Sequence, residues 1–118
     1  MTLVDTSVWI DHFRRGNAQL EQLLNAGLVF QHQFVLGELM CGNLRNRGVV
    51  LGLMSALPQA RLTTYDETAQ FIESKKLYSR GLGWADVNLL ASAQLTGCVL
   101  WTFDKALLAA SEELGLRS

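Results

Sequence analysis

A chain of 118 residues, 49% of them apolar, with 10 basic and 11 acidic side chains and a formal charge of −1, is long enough to bury a real core. A single domain over residues 1–118 is expected; a disordered chain is excluded, and so is a helical membrane span, since no run of about 18 apolar residues occurs. The N-terminal Met1-Thr2-Leu3-Val4-Asp5 has neither the basic region nor the cleavage site of a signal peptide, so the expected compartment is the cytoplasm.

Thr2-Leu3-Val4 reads as a short buried strand that ends at Asp5. Thr6 or Ser7 is then placed to cap a helix carrying Val8, Trp9, Ile10 and Phe13, with Gly16 as its stop. Leu20, Leu23 and Leu24 recur at helical spacing up to Gly27, and Leu28-Val29-Phe30 predicts a second strand. A helix from about Phe34 carries Leu36, Leu39 and Met40 to Gly42-Asn43. Another runs from Val49 to Leu57 and stops at Pro58, the only proline. Arg61-Leu62-Thr63-Thr64 alternates and predicts a third strand. Asp66 opens a long amphipathic helix through Phe71, Ile72 and Leu77, and Trp84 to Leu95 forms the next, ending at Gly97. Cys98 to Thr102 is the last clear strand, and Asp104 starts a final helix that closes at Gly115. Strands alternating with helices predict an α/β fold, a parallel sheet covered by helices with its ligand site at the carboxyl ends of the strands.

Four carboxylates stand in apolar sequence: Asp5 after Leu3-Val4, Glu38 in Val35-Leu36-Gly37-Glu38-Leu39-Met40, Asp86 in Trp84-Ala85-Asp86-Val87, and Asp104 after Trp101-Thr102-Phe103. A carboxylate held in or beside a core is costly unless it is paired, protonated or bound to a metal. The other seven are explained locally. Asp11 has Arg14 and Arg15 at i+3 and i+4, and Glu21, Asp66, Glu67, Glu73, Glu112 and Glu113 lie on polar stretches or first helical turns. Asp5 and Asp104 follow strands directly, and Asp86 lies near a helix start, whose positive end favours a carboxylate.

An all-carboxylate set selects a hard cation, Mg²⁺ or Mn²⁺, over zinc or copper. Cys41 and Cys98 form no C-x-x-C and His12 and His32 no H-x-x-x-H, so both cysteines are expected to be small buried hydrophobes. The chemistry that fits is metal-dependent phosphoryl transfer to water. Competing motifs fail: Gly81-Leu82-Gly83 follows a helix with Asp86 where a third glycine belongs, no G-K-[ST] occurs, and Val4-Asp5-Thr6 lacks the second aspartate of an aspartyl-phosphate enzyme. Two divalent ions at the acids would reverse the net charge, freeing Arg14-Arg15, Arg45 with Arg47, and Lys75-Lys76 with Arg80 to steer a polyanion.

With these motifs in order, the chain resembles the PIN-domain ribonucleases, in particular the VapC-type toxins of toxin–antitoxin pairs. The resemblance rests on Leu3-Val4-Asp5-Thr6-Ser7-Val8-Trp9-Ile10, Val35-Leu36-Gly37-Glu38-Leu39 with Gly42-Asn43-Leu44-Arg45, Gly81-Leu82-Gly83-Trp84-Ala85-Asp86 followed by Leu89-Leu90-Ala91-Ser92-Ala93, and Leu100-Trp101-Thr102-Phe103-Asp104-Lys105. It implies a three-layer α/β/α fold with four parallel strands, and a fifth if the short C-terminus after Gly115 supplies it. It also implies a Mg²⁺- or Mn²⁺-dependent endoribonuclease with Asp5, Glu38, Asp86 and Asp104 around the metal. Thr6 and Thr102 match positions that hydrogen-bond the acids or the scissile phosphate. The partners implied are RNA, a second copy of the chain, and a small antitoxin whose C-terminal segment fills the active-site groove. Two positions depart from the family: Ala106 where many relatives carry another acid, and Phe103 where close relatives often carry a basic residue. Two other readings stay open on sequence: a PIN-fold module that binds RNA or a partner without cutting, and a metal-dependent phosphohydrolase of small phosphate esters.

Overall fold

In the computed structural model, which describes residues 1–118, the chain runs β1 (Thr2–Val4), α1 (Thr6–Arg15), α2 (Ala18–Asn25), β2 (Val29–Phe30), α3 (Gln33–Cys41), α4 (Arg47–Ser55), α5 (Tyr65–Lys75), α6 (Trp84–Thr96), β3 (Val99–Trp101) and α7 (Lys105–Glu113). The sheet is parallel in the order β2-β1-β3. Thr2 pairs with Val29 and Val99, and Leu3 with Phe30 and Leu100. β1 is buried along its whole length, as a central strand covered on both faces requires, and Leu3 and Val4 are fully buried.

Single parallel bridges extend the sheet on each side: Gln31 with Gln59 beyond β2, and Leu100 with Arg117 beyond β3. Right-handed crossovers in this order place α1 to α4 on one face and α5 to α7 on the other. The packing agrees, with α1 against α3, α3 against α4, and α6 against both α5 and β3. The three-layer α/β/α arrangement is therefore present, built on three strands.

The strand expected at Arg61-Leu62-Thr63-Thr64 does not form. β2 ends after two residues because His32 already caps α3, so only Gln31 offers an edge, and Pro58 O and Ala60 N–H take it at 2.8 and 2.9 Å. Thr64 instead caps α5 in a capping box with Glu67. The fifth strand, left open because the C-terminus after Gly115 is short, is present only as the one bridge, with Leu100 N–H on Leu116 O and Ser118 N–H on Leu100 O. Cys98 is buried as expected; Cys41 is exposed, because it closes α3 on the solvent side.

His32 is locked inside. Its Nδ1 accepts the Phe34 N–H at 3.0 Å, which leaves Nε2 to donate to Ser92 Oγ at 3.0 Å across the sheet. Neither ring nitrogen is free for a ligand. Burial pulls its pKa from 6.5 to about 4. A native-state pKa below the unfolded value means that its contribution is intact above pH 6.5 and is lost as pH falls toward 4. The loss from this residue is expected to reach about 3 kcal/mol. Urea melts between pH 7 and 4 check it, and His32→Gln should flatten that slope; an unchanged slope would show that the imidazole is not the group responsible.

Candidate active site

All three strands point their carboxyl ends at one edge. Asp5 follows β1 and occupies the N-cap position of α1, although its side chain makes no capping bond. The helix is thus entered at Asp5, rather than capped by Thr6 or Ser7 as the sequence had indicated. α3, with Glu38, leaves β2 from the same edge, and Asp104 caps α7 just after β3. α6 ends where β3 begins, so its first turn, with Asp86, lies back at the carboxyl edge.

Three aspartates share one device, in which one carboxylate oxygen is held by the protein and the other is not. Asp5 Oδ2 accepts both Ser7 Oγ–H and Thr102 Oγ1–H, each at 2.7 Å. Asp86 Oδ2 accepts the Gly83 N–H at 2.8 Å, and Asp104 Oδ2 accepts the Leu107 N–H at 2.9 Å. In each case Oδ1 takes no protein donor. The two hydroxyls at Asp5 in turn accept backbone N–H groups, Phe103 N–H on Ser7 Oγ and Asp104 N–H on Thr102 Oγ1, both at 3.0 Å. This stitches the turn between β3 and α7 to the end of β1.

Ser7 is the member that sequence reasoning missed as part of the site. Its signal was a hydroxyl two residues after Asp5 in a first helical turn, which also reads as an ordinary cap. Ser7→Ala removes one orienting donor from Asp5 and the acceptor of Phe103 N–H. Stability is expected to fall by about 1 kcal/mol, and activity at this site by roughly tenfold. Urea melts and cleavage assays check both, and wild-type values in both would mean that Ser7 is idle.

Burial separates the four acids. Asp5 is only 7% exposed, and Asp86 is half-buried, whereas Glu38 and Asp104 are exposed. The expectation that all four sit in or beside the core holds for Asp5 and partly for Asp86. Glu38 escapes because α3 buries Val35, Leu36 and Leu39 on its other side. Two of them, Glu38 and Asp86, nonetheless feel their fellow acids. Desolvation, then Asp5 and Asp86, push the Glu38 carboxyl up; Thr6, whose Oγ1 is shut off from solvent with no hydrogen-bond partner, opposes this weakly. Asp86 is likewise raised, by desolvation first, then by Asp5 and Asp104, against the Gly83 N–H. No cation relieves the set: the ion pairs are Arg15–Asp11, Arg80–Glu113 and Arg117–Glu112. Arg15 and Arg80 are therefore not free to steer a polyanion as expected, while Arg14, Arg45, Arg47, Lys75 and Lys76 are exposed and outside any ion pair.

A comparison with protein families matches the PIN domain over residues 2–113. The chain belongs to the PIN domain family. Two relatives, each named Ribonuclease VapC32 and found in Mycobacterium tuberculosis strains CDC 1551 / Oshkosh and H37Rv, are 44% identical to this PIN domain over 117 residues. The match covers 98% of this chain and 94% of each relative.

PIN-family membership raises the question of a metal, which the donor set can answer. No three of these side chains are gathered tightly enough to chelate one ion by themselves. Zinc needs such a closed set of ligands. Mg²⁺ does not, since it keeps several waters and takes one or two carboxylates. Several carboxylates with a free oxygen each, under mutual repulsion and without cations, fit a hydrated hard cation. Ala106 faces the Gly81 turn, a Cβ on Gly81 standing 3.8 Å from its methyl, so this PIN domain has no fifth acid there.

Proposed function

We propose that the chain is a divalent-metal-dependent endoribonuclease, the toxin of a toxin–antitoxin pair. The observation that carries this reading is the 44% identity, over nearly the whole length, to relatives named as ribonucleases, together with an acid set left without cations. Asp5, Glu38, Asp86 and Asp104 would hold Mg²⁺ or Mn²⁺ through their free oxygens. When bound, the ion supplies a water of lowered pKa and positive charge against the leaving oxygen of a phosphodiester. The protein's own share is positional. Ser7 and Thr102 fix the plane of the Asp5 carboxylate, Gly83 N–H fixes Asp86, and Thr6 faces Glu38. Bases and phosphates reach the acids from solvent, since Glu38 and Asp104 lie open to it.

The partners that go with this reading are RNA, a small antitoxin, and a second copy of the chain, all in the cytoplasm. No helix is long and apolar enough to cross a membrane. For the antitoxin, support comes from an apolar groove of about 460 Å³ between α1, α2 and α4, lined by Trp9, Phe13, Leu24, Val50 and Leu53 among others. The test is cleavage of RNA by the purified protein with Mg²⁺ or Mn²⁺ and then with EDTA. Cleavage that EDTA abolishes and either ion restores is expected. Cleavage that persists in EDTA refutes the metal, and no cleavage of any RNA with either ion refutes the enzyme.

A further inference from the structure

The chain holds its four acids as two pairs. Asp5 and Asp104 are tied to each other by Ser7 and Thr102, whose hydroxyls bridge the start of α1 and the β3–α7 turn. Glu38 and Asp86 ride on α3 and α6 instead. These helices lie on opposite faces of the sheet, α3 packed on α1 and α4, and α6 on α5 and β3. The two carboxylates are nonetheless close enough that Asp86 adds to what burial and Asp5 do in raising Glu38. Packing between α3 and α6 does not fix that closeness, so another contact has to.

The side-chain hydrogen bond that joins the two helices is His32 Nε2–H to Ser92 Oγ, at 3.0 Å. His32 is the N-cap of α3, and Ser92 lies in the middle of α6. Both are shut off from water, His32 at 2% and Ser92 at 0% exposure. Because Nδ1 accepts the Phe34 N–H at 3.0 Å, the ring cannot turn away from Ser92 without uncapping α3. Glu38 lies six residues after His32, and Asp86 six before Ser92, which is about 9 Å along each helix. On its own face α6 is held by a different network. Thr63 Oγ1 and Thr68 Oγ1 are 2.6 Å apart, and Thr68 donates to Asn88 Oδ1 at 2.9 Å. That network fixes α6 to α5, which carries none of the four acids. A buried imidazole and hydroxyl are a costly way to fill space that apolar side chains would fill as well. What the pair adds is a fixed direction between two helices.

We infer that the His32–Ser92 hydrogen bond sets the separation of Glu38 and Asp86, which makes His32 and Ser92 positioning residues of the acid site. That this separation serves a divalent ion rests on the ribonuclease reading. Groups that hold metal ligands in place govern affinity nearly as the ligands do, and here the hold is passed along two rigid helices.

The test separates the two ring nitrogens. His32→Asn keeps an acceptor at the place of Nδ1 but falls short of Ser92. His32→Gln keeps a donor at the place of Nε2 and gives up the cap. Ser92→Ala removes the tie and leaves the cap. Mn²⁺ binding is read by electron paramagnetic resonance on each purified variant, beside a urea melt. Ser92→Ala and His32→Asn should each weaken Mn²⁺ binding about tenfold. His32→Gln should bind within about twofold of wild type, although its lost cap lowers stability. Wild-type Mn²⁺ affinity in Ser92→Ala overturns the inference. So does a loss in all three variants that follows their melting points, which would make His32 a part of the core and nothing more. Motion at Glu38 and Asp86 is read separately without metal, by relaxation dispersion of their backbone amides. Exchange in Ser92→Ala and His32→Asn, and none in His32→Gln, is expected. Wild-type protein that takes up no Mn²⁺ refutes the metal reading and leaves the tie to this second measurement, where flat dispersion in every variant overturns it.

Discussion

Asp5→Asn is expected to lower cleavage by about 1000-fold or more while the metal-free protein melts at the wild-type temperature or slightly above it. The two halves have separate causes. Asp5 is the one buried acid of the set, and Ser7 and Thr102 aim it by donating to a single oxygen. If Asp5 holds the metal as proposed, losing its charge removes the carboxylate that the fold positions best, and several kcal/mol of electrostatic stabilisation with it, at about 1.4 kcal/mol per tenfold in rate. The amide oxygen of asparagine still accepts from Ser7 and Thr102, so the stitch to the β3–α7 turn survives. Glu38 and Asp86, which Asp5 pushes up, are relieved by its neutralisation. Cleavage kinetics and a thermal melt in EDTA check both halves. Cleavage within tenfold of wild type would remove Asp5 from the metal site. A large fall in melting temperature would mean that the lost activity reflects a damaged fold.

Asp5 and Asp104 were legible in the sequence because their placement is local: each ends an apolar run that is too short to be anything but a strand. Strand order then follows from the handedness of crossovers, and with it the edge where the two acids meet. Glu38 was correctly placed on a helix but wrongly buried. Its apolar neighbours Phe34, Val35, Leu39 and Met40 surround it in sequence, while α3 turns only Val35, Leu36 and Leu39 inward and leaves Met40 exposed. Helix rotation is decided by what the helix packs against, and that partner is remote in sequence.

The same limit explains Arg61 to Thr64. Alternation is a property of the segment, but a strand is a pairing. The only edge available was Gln31, and Pro58 and Ala60 occupy it. Thr63 and Thr64 found other uses, one in the network under α5 and α6 and one as a cap. Ser7 was invisible for a related reason. Its bond to Asp5 is local, but its bond to Phe103 N–H crosses from the start of α1 to the turn between β3 and α7, and nothing in Asp5-Thr6-Ser7 announces that. Local chemistry identified which residues are unusual; the partners that give each one its role are set by the fold.

Metal binding should grow stronger as pH rises, and the metal-free protein should grow weaker at the acid cluster over the same range. Glu38 and Asp86 are raised above 4.5 and 3.8, by desolvation first and by their fellow acids after it. An acid whose native pKa lies above its unfolded value holds its proton more tightly when folded. Its contribution to stability is therefore greatest below the ordinary carboxylate range and is lost as pH climbs through the raised value. This is the reverse of a carboxylate in a salt bridge. His32 runs the other way, adding stability as pH rises from about 4 to 6.5, so a bare pH profile of melting temperature mixes the two. The difference between melts with and without Mg²⁺ separates them, because His32 lies inside and holds no free nitrogen toward the acids. That difference is expected to be near zero at pH 4 and to increase until both acids are ionised. With the ion at a hundredfold excess over its Kd it approaches about 2.7 kcal/mol. Glu38→Gln should raise the metal-free melting temperature at neutral pH and lessen the gain from Mg²⁺. A gain that is the same at pH 4 and pH 8, or that shrinks with rising pH, would mean that the ion binds elsewhere and that the repulsion among these four acids has another use.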